Sequence, residues 1–147
     1  MSDSPFYFFA SCAKSLEPLL AEELRQCGAS DIRETVAGVN FSGTLTEAYR
    51  AVMFSRIANR IILILHQQLV PDADALYAAA DSIDWTQHMR STDSFAISAA
   101  GTTHNLNHTQ FIAQRIKDAV VDQFRSSGQN RPDVSKQDPD LRIHAVI

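Results

Sequence analysis

Residues 32–41 read Ile32-Arg33-Glu34-Thr35-Val36-Ala37-Gly38-Val39-Asn40-Phe41, and the reading of this stretch decides the fold. Residues alternate on both sides of Gly38 (Ile32, Glu34, Val36; then Val39, Phe41), and two alternating runs joined at a glycine read as a β-hairpin with Gly38 in its turn. A helix precedes the hairpin. Leu16, Leu19, Leu20, Leu24 and Cys27 recur at helical spacing, Ser15 can cap the start, Pro18 is tolerated in the first turn, and Gly28 can take the left-handed position that ends it. A second helix follows. Thr44 and Glu47 have capping-box spacing, and Leu45, Ala48, Val52 and Met53 are expected as its buried face. Further out on the N-terminal side, Phe6 to Ala10 is a β-prone aromatic run between Pro5 and Ser11. On the C-terminal side a strand is expected over Arg60 to Val70, where the unbroken apolar run Ile61 to Leu65 predicts cover on both faces.

The order strand, helix, strand, strand, helix, strand is the split βαβ, or ferredoxin-like, arrangement, complete by about residue 70. Beyond Pro71 and Asp72 the spacing predicts a short helix over Ala73 to Ser82, a buried Trp85, and a strand over Asp93 to Gly101. The longest helix is expected over Thr109 to Ser126, capped by Thr109, with Phe111, Ile112, Ile116, Val120 and Phe124 as its apolar stripe and Gly128 as its stop. Gln129 to Asp140 reads as loop. Leu141, Ile143, Ala145 and Ile147 then begin a strand at which the sequence stops. The fold class is therefore α+β: a ferredoxin-like βαββαβ unit followed by an incomplete α/β domain. The unfinished strand is expected to belong to a longer protein.

Of 147 residues, 45% are hydrophobic and 20% charged, enough to bury a core. No apolar run approaches the roughly 20 residues of a membrane span. Met1 to Pro5 show neither a basic region nor an apolar leader, so a soluble, cytoplasmic chain without membrane association is expected. Cys12 and Cys27 have no second pair and are expected as reduced thiols. The net charge of −4 disfavours a strongly basic nucleic-acid binder. Residues 1–85 carry six basic and eleven acidic side chains and residues 86–147 seven and six, so any anion preference is expected in the C-terminal part.

The five glycines, Gly28, Gly38, Gly43, Gly101 and Gly128, form neither GxGxxG nor GxGxG. Gly38 and Gly43 have P-loop spacing, but Thr44 stands where the phosphate-binding lysine belongs. No Asn-Pro-Pro loop and no GxSxG elbow occur. Catalytic and cofactor-binding residues are therefore expected to be none within these residues. His104 and His108 are spaced i and i+4, but in a Thr- and Asn-rich loop with no third ligand nearby; metal ligands are expected to be none. Asn105 to Lys117 is more informative. A polar loop feeding a helix N-terminus offers N–H groups and a positive dipole end to a phosphate, with Asn107, His108, Thr109 and Gln110 at that point and Arg115 and Lys117 within two turns. Plain helix capping with a solvated face is the competing account.

Several strings together resemble one family. Phe9-Ala10-Ser11-Cys12, Leu16-Glu17-Pro18-Leu19-Leu20, Val36-Ala37-Gly38-Val39-Asn40-Phe41, Ser55-Arg56-Ile57-Ala58-Asn59-Arg60, Ile83-Asp84-Trp85-Thr86, Lys117-Asp118-Ala119-Val120-Val121-Asp122 and Arg131-Pro132-Asp133-Val134 with Pro139-Asp140-Leu141-Arg142-Ile143 resemble, in order, the N-terminal part of bacterial THUMP-containing methyltransferases of 23S ribosomal RNA guanines. The resemblance implies a ferredoxin-like domain over residues 1–58 and a THUMP domain over 59–147, with a boundary that can be drawn as early as about 43. It implies an RNA-binding module that presents ribosomal RNA to a downstream catalytic domain using S-adenosylmethionine in the full-length protein, at guanine N2 and, with a second module, N7. The residues expected to face RNA are Asn107, Thr109, Lys117, Arg131 and Arg142. The alternative reading is a regulatory small-molecule-binding or protein-interaction module of ferredoxin-like fold.

Overall fold

The computed structural model describes residues 5–147; Met1 to Ser4, read above for a leader, lie outside the described residues. The fold is mixed α and β, and the chain forms two compact units that divide between Gln67 and Gln68. In the first, β1 (Phe6–Ser11), α1 (Glu17–Gln26), β2 (Ser30–Thr35), β3 (Gly38–Gly43), α2 (Leu45–Phe54) and β4 (Arg60–Ile64) follow in the βαββαβ order. The four strands lie in the order β2-β3-β1-β4, all pairings antiparallel. Phe8 and Ala10 of β1 and Val39 and Phe41 of β3 meet Leu20, Ala21 and Leu24 of α1 and Ala48 and Ala51 of α2 in one core, so both helices cover the same face of the sheet. A boundary at residue 58 would separate β4 from β1, its partner in the sheet.

The local signals were partly right. Gly28 takes φ +90, and Ala29 N–H to Leu24 O with Gly28 N–H to Arg25 O closes α1 as a Schellman motif. Ser15, by contrast, is not the cap: it has φ +79, Leu16 occupies the N-cap without a side-chain bond, and Pro18 sits in the first turn. The hairpin turns at Val36-Ala37, and the left-handed residue is Ala37 (φ +60) rather than Gly38. The Ala37 N–H donates to Glu17 Oε2 (2.9 Å) and its carbonyl accepts from Cys12 N–H (2.9 Å), which ties the turn to α1 and β1. Thr44 does cap α2, accepting from Thr46 N–H and bonding the Glu47 carboxylate.

Two expectations fail on packing. α2 faces its sheet with Ala48 and Ala51, leaving Leu45, Val52 and Met53 exposed; small residues let the helix backbone lie close to the strands, and the large residues fall on the adjacent face. The Ile61–Leu65 run is not a central strand. β4 is five residues long, at the sheet edge, and only half-buried: Ile61 and Leu63 turn to the helices while Ile62 and Ile64 turn to the other face.

The second unit contains α3 (Ala73–Asp81), a 3-10 turn (Trp85–Gln87), β5 (Ser94–Ala100), α4 (Thr109–Ser126), β6 (Asp133–Val134) and β7 (Leu141–Val146). β5 is central, with β6 and β7 parallel to it on either side. Asp72 caps α3 through Ala75 N–H, and Gly128 (φ +78) ends α4 with the same two bonds that end α1, from Gly128 to Arg125 O and from Gln129 to Phe124 O. Trp85, Phe95, Leu106, Ile112, Val120 and Phe124 centre the core. Phe111, expected in the α4 stripe, is 47% exposed. β6 falls where a loop is expected, and β7 pairs with β5 as a parallel partner, Phe95 opposite Leu141 through Ala100 opposite Val146. Among the described residues no helix is long and apolar enough to cross a membrane.

Candidate nucleic-acid interface

The loop between β5 and α4 is shaped by its own polar groups. Thr103 N–H donates to Leu106 O (2.9 Å), Leu106 N–H to Thr103 Oγ1 (3.2 Å), and Asn105 Nδ2 to Pro71 O (3.1 Å). Leu106 is buried beneath this turn, and the pinned loop presents Asn107 and His108 to solvent immediately before α4. Thr109 does not cap the helix. His108 holds the N-cap position with no side-chain bond, Thr109 is the first helical residue, and no acid lies in the first turn. The first intrahelical bond runs from Ile112 N–H to His108 O, so the N–H groups of Thr109, Gln110 and Phe111 precede the ladder, at the positive end of an 18-residue helix. His108, Thr109, Gln110 and Phe111 line a shallow concavity there. Chemically this is a place for an anion, and the exposed Phe111 ring is an apolar neighbour for it.

The five residues singled out by sequence do not form one cluster. Asn107 and Thr109 are adjacent at this end; Lys117, two turns along α4, is half-buried. α4 then carries the chain about 27 Å back along the sheet. Arg131 is exposed just before β6, whose Asp133 pairs with Ser94 at the start of β5, and Arg142 is exposed on β7 opposite Ala96. Arg131 and Arg142 therefore stand on either side of β5, toward the end of the sheet opposite Thr109. Arg142 shares the face away from α3 and α4 with His144, whose Nδ1 lies 2.6 Å from Ser98 Oγ. Sequence reasoning missed this Ser98–His144 pair, although the alternation of β7 carried the signal: the residues between Leu141, Ile143 and Ala145 must face away from the core.

Arg115, expected near the anion site on a polar position of the helix, is held against the protein. Its guanidinium lies 4.9 Å over the Tyr77 ring and Nη2 is 3.7 Å from Asp74 Oδ1. Tyr77 donates its hydroxyl to Asp122 Oδ2 (2.6 Å). That bond, with burial and the Asp122 charge, pushes the phenol from 10.0 up to about 12. Because the folded value lies above the unfolded one, this contribution is present below pH about 10 and is lost as pH rises toward 12. Tyr77→Phe should cost the second unit about 1–2 kcal/mol at neutral pH and flatten its loss of stability between pH 10 and 12; chemical denaturation of both proteins across that range measures it, and parallel curves would contradict it.

The charge balance changes once the chain is divided where it folds. The first unit has six basic and seven acidic side chains and the second seven and ten, so the second is not the more basic. Many of its acids are occupied by donors: Asp72 by Ala75 N–H, Asp84 by Thr86 N–H, Asp93 by Arg90 N–H, Asp140 by Ser94 N–H and Asp122 by Tyr77. Among the described residues no three His, Cys, Asp or Glu side chains are grouped to hold a metal ion.

A ferredoxin-like unit followed by an α/β unit with an open, uncapped helix N-terminus defines a two-domain class, and family comparison agrees. The model described as the RlmL ferredoxin-like domain matches residues 7–62, and the THUMP domain matches residues 70–147. The chain belongs to the THUMP-domain family, with the RlmL-type ferredoxin-like domain before it. It is 47% identical over 140 residues to the ribosomal RNA large subunit methyltransferase K/L of Aeromonas salmonicida, covering 95% of this chain and 20% of that protein. With the protein of the same description from Syntrophotalea carbinolica it is 42% identical over 145 residues, covering 99% and 20%. The chain thus spans about a fifth of the length of the curated relatives it matches. Among solved structures it resembles a predicted N6-adenine-specific DNA methylase of Listeria monocytogenes (TM-score 0.82, 19% identity, 98% of this chain and 38% of that one). It also resembles a candidate methyltransferase solved with SAH (TM-score 0.84, 18% identity, 99% and 40%).

Proposed function

We propose that this chain is the RNA-holding part of a ribosomal RNA large-subunit methyltransferase, presenting 23S RNA to a catalytic domain elsewhere in the protein. The observation that carries the reading is the 42–47% identity, across nearly the whole chain, to proteins described as methyltransferases of that RNA. The reaction is transfer of a methyl group from S-adenosylmethionine to guanine N2, and to N7 where a second catalytic module is present. The residues here do not fit that cofactor. Gly28 and Gly128 end helices, Gly38 packs under Phe9, Gly43 adjoins Glu47 and Gly101 adjoins the Ile147 carbonyl, so no glycine is left to cradle an adenosyl group. The cofactor and the catalytic domain are therefore assigned to the remainder of a longer protein, acting in the cytoplasm where ribosomes are made.

Asn107 and Thr109 are proposed to meet phosphate at the α4 N-terminus, and Lys117, Arg131 and Arg142 to supply cationic contacts along a backbone too long to lie at one point. Affinity should be modest and salt-sensitive. Lys117→Ala with Arg131→Ala should weaken binding of the 147-residue chain to a structured large-subunit RNA transcript and lower the slope of log K against log salt by about two. An unchanged slope would remove both residues from the interface.

A further inference from the structure

The face of the first sheet turned away from α1 and α2 carries chemistry that the reading above does not use. Its rows follow from the register. Arg33, Asn40, Phe9 and Ile62 form one, and Ser42, Tyr7 and Ile64 the next. Tyr7 and Phe9 therefore stand side by side on the central strand β1, roughly 7 Å apart along it. Tyr7 is 58% exposed, and Phe9 and Asn40 are half-buried. The Phe9 ring lies flat on the sheet: a Cβ at Gly38 would stand 2.3 Å from its Cζ, so the ring occupies the space over that glycine.

The acids lie mainly on the helix side, together with Arg25 of α1 and Arg50 of α2. Glu17, Glu22 and Glu23 belong to α1, Glu47 to α2, and Glu34 pairs with Val39 on the helix side. Among the described residues the other face holds Arg33 and Arg60, with one acid, Asp31, whose carboxylate already accepts the Ser42 hydroxyl (2.9 Å). A unit that is acidic overall thus keeps its aromatic pair in a neutral-to-cationic setting. An aromatic pair on a central strand, an amide beside it and an arginine beyond match what an unpaired RNA strand offers: base faces to stack, base edges to hydrogen-bond, and phosphates.

We propose that this face is a second RNA surface, distinct from the α4 N-terminus, on which Tyr7 and Phe9 stack two unpaired bases, Asn40 meets a base edge and Arg33 a phosphate. It rests on the reading of the chain as an RNA-binding module, and gives the substrate a single-stranded segment beside its structured part. A protein partner is the competing occupant.

The test uses the 147-residue chain with two probes, a labelled 12-nucleotide oligouridine and a 12-base-pair RNA duplex, followed by anisotropy. Tyr7→Ala should weaken oligouridine binding about tenfold and leave duplex binding within about twofold, while Tyr7→Phe, which keeps the ring, binds as the parent does. Phe9→Leu should act in the same direction; since it disturbs packing over Gly38, the exposed Tyr7 pair carries the decision. Equal binding by the Tyr7→Ala and parent chains would overturn the proposal. So would equal losses on both probes, or a concentration-dependent self-association that Tyr7→Ala abolishes. If Lys117→Ala with Arg131→Ala loses duplex binding while Tyr7→Ala retains all oligouridine binding, the RNA reading stands and this surface falls. A parent chain that binds neither probe defeats both.

Discussion

Replacing Trp85 by alanine is expected to destabilise the second unit by about 3–5 kcal/mol, the largest effect of any single change considered. Trp85 is 1% exposed in the cluster with Phe95, Ile112 and Phe124. Its Nε1–H donates to Ala80 O (2.9 Å) at the end of α3, and its backbone N–H donates to Gln123 Oε1 (2.8 Å) on α4. Gln123 Nε2 in turn reaches Asp81 O (3.0 Å) and Ile83 O (2.7 Å). The indole thus fills the space between α3 and α4, and Gln123 of α4 fastens the turn that follows α3. Alanine leaves a cavity that these fixed backbone bonds cannot collapse. A unit of this size has a total stability of about 4–12 kcal/mol, so the variant should be largely unfolded there at a urea concentration where the parent is native. Trp85→Phe keeps most of the apolar volume, loses the donor to Ala80, and should cost about 1–2 kcal/mol. Far-UV circular dichroism during urea titration measures both, since Trp85 is the only tryptophan and its fluorescence disappears with it. A loss below 1 kcal/mol for the alanine variant would refute this account of the core.

The burial of Trp85 was legible because it follows directly on a helix and lies within reach of an apolar stripe. The stripe Ile112, Ile116, Val120, Phe124 was legible for the same reason: periodicity is local, and so are the Schellman glycines Gly28 and Gly128. What failed needed information from outside the segment. Nothing in Leu45, Val52 and Met53 says that α2 will turn Ala48 and Ala51 to the sheet instead. Two residues, Asp133 and Val134, are too few to carry a strand signal, and they pair with β5 next to the buried Pro132. β7 finds a parallel partner 46 residues upstream, as the pair Phe95 and Leu141 shows; single-sequence alternation gives neither the partner nor its direction. The candidate site divides in the same way. Asn107 and Thr109 were found together because a helix N-terminus is a local feature. That Arg131 and Arg142 stand toward the other end of the sheet follows only from the return path of α4, which the sequence of either segment does not encode.

Gly38→Ala is expected to destabilise the first unit by about 1–3 kcal/mol, a sign opposite to what strand preference alone gives. Glycine inside a strand costs roughly 0.5–1 kcal/mol relative to alanine, and Gly38 has no left-handed φ to excuse it. Packing decides against the substitution. The added Cβ would lie 2.3 Å from Phe9 Cζ, 2.5 Å from Cε2 and 2.8 Å from the Ala10 carbonyl oxygen. That oxygen belongs to the central β1–β3 pairing, in which Ala10 stands opposite Val39, and it cannot withdraw without opening the ladder. The ring must therefore move, which takes Phe9 off the sheet. If so, the two positions are coupled: Phe9→Ala should cost less in the Gly38→Ala background than in the parent, with a coupling of about 1 kcal/mol in a double-mutant cycle. Additive costs would mean that the ring does not depend on the glycine. A stabilised Gly38→Ala would mean that strand preference outweighs the contact. The same displacement would lift Phe9 beside Tyr7, so the glycine that sequence reading placed in a turn instead sets the flatness of the face on which the aromatic pair stands.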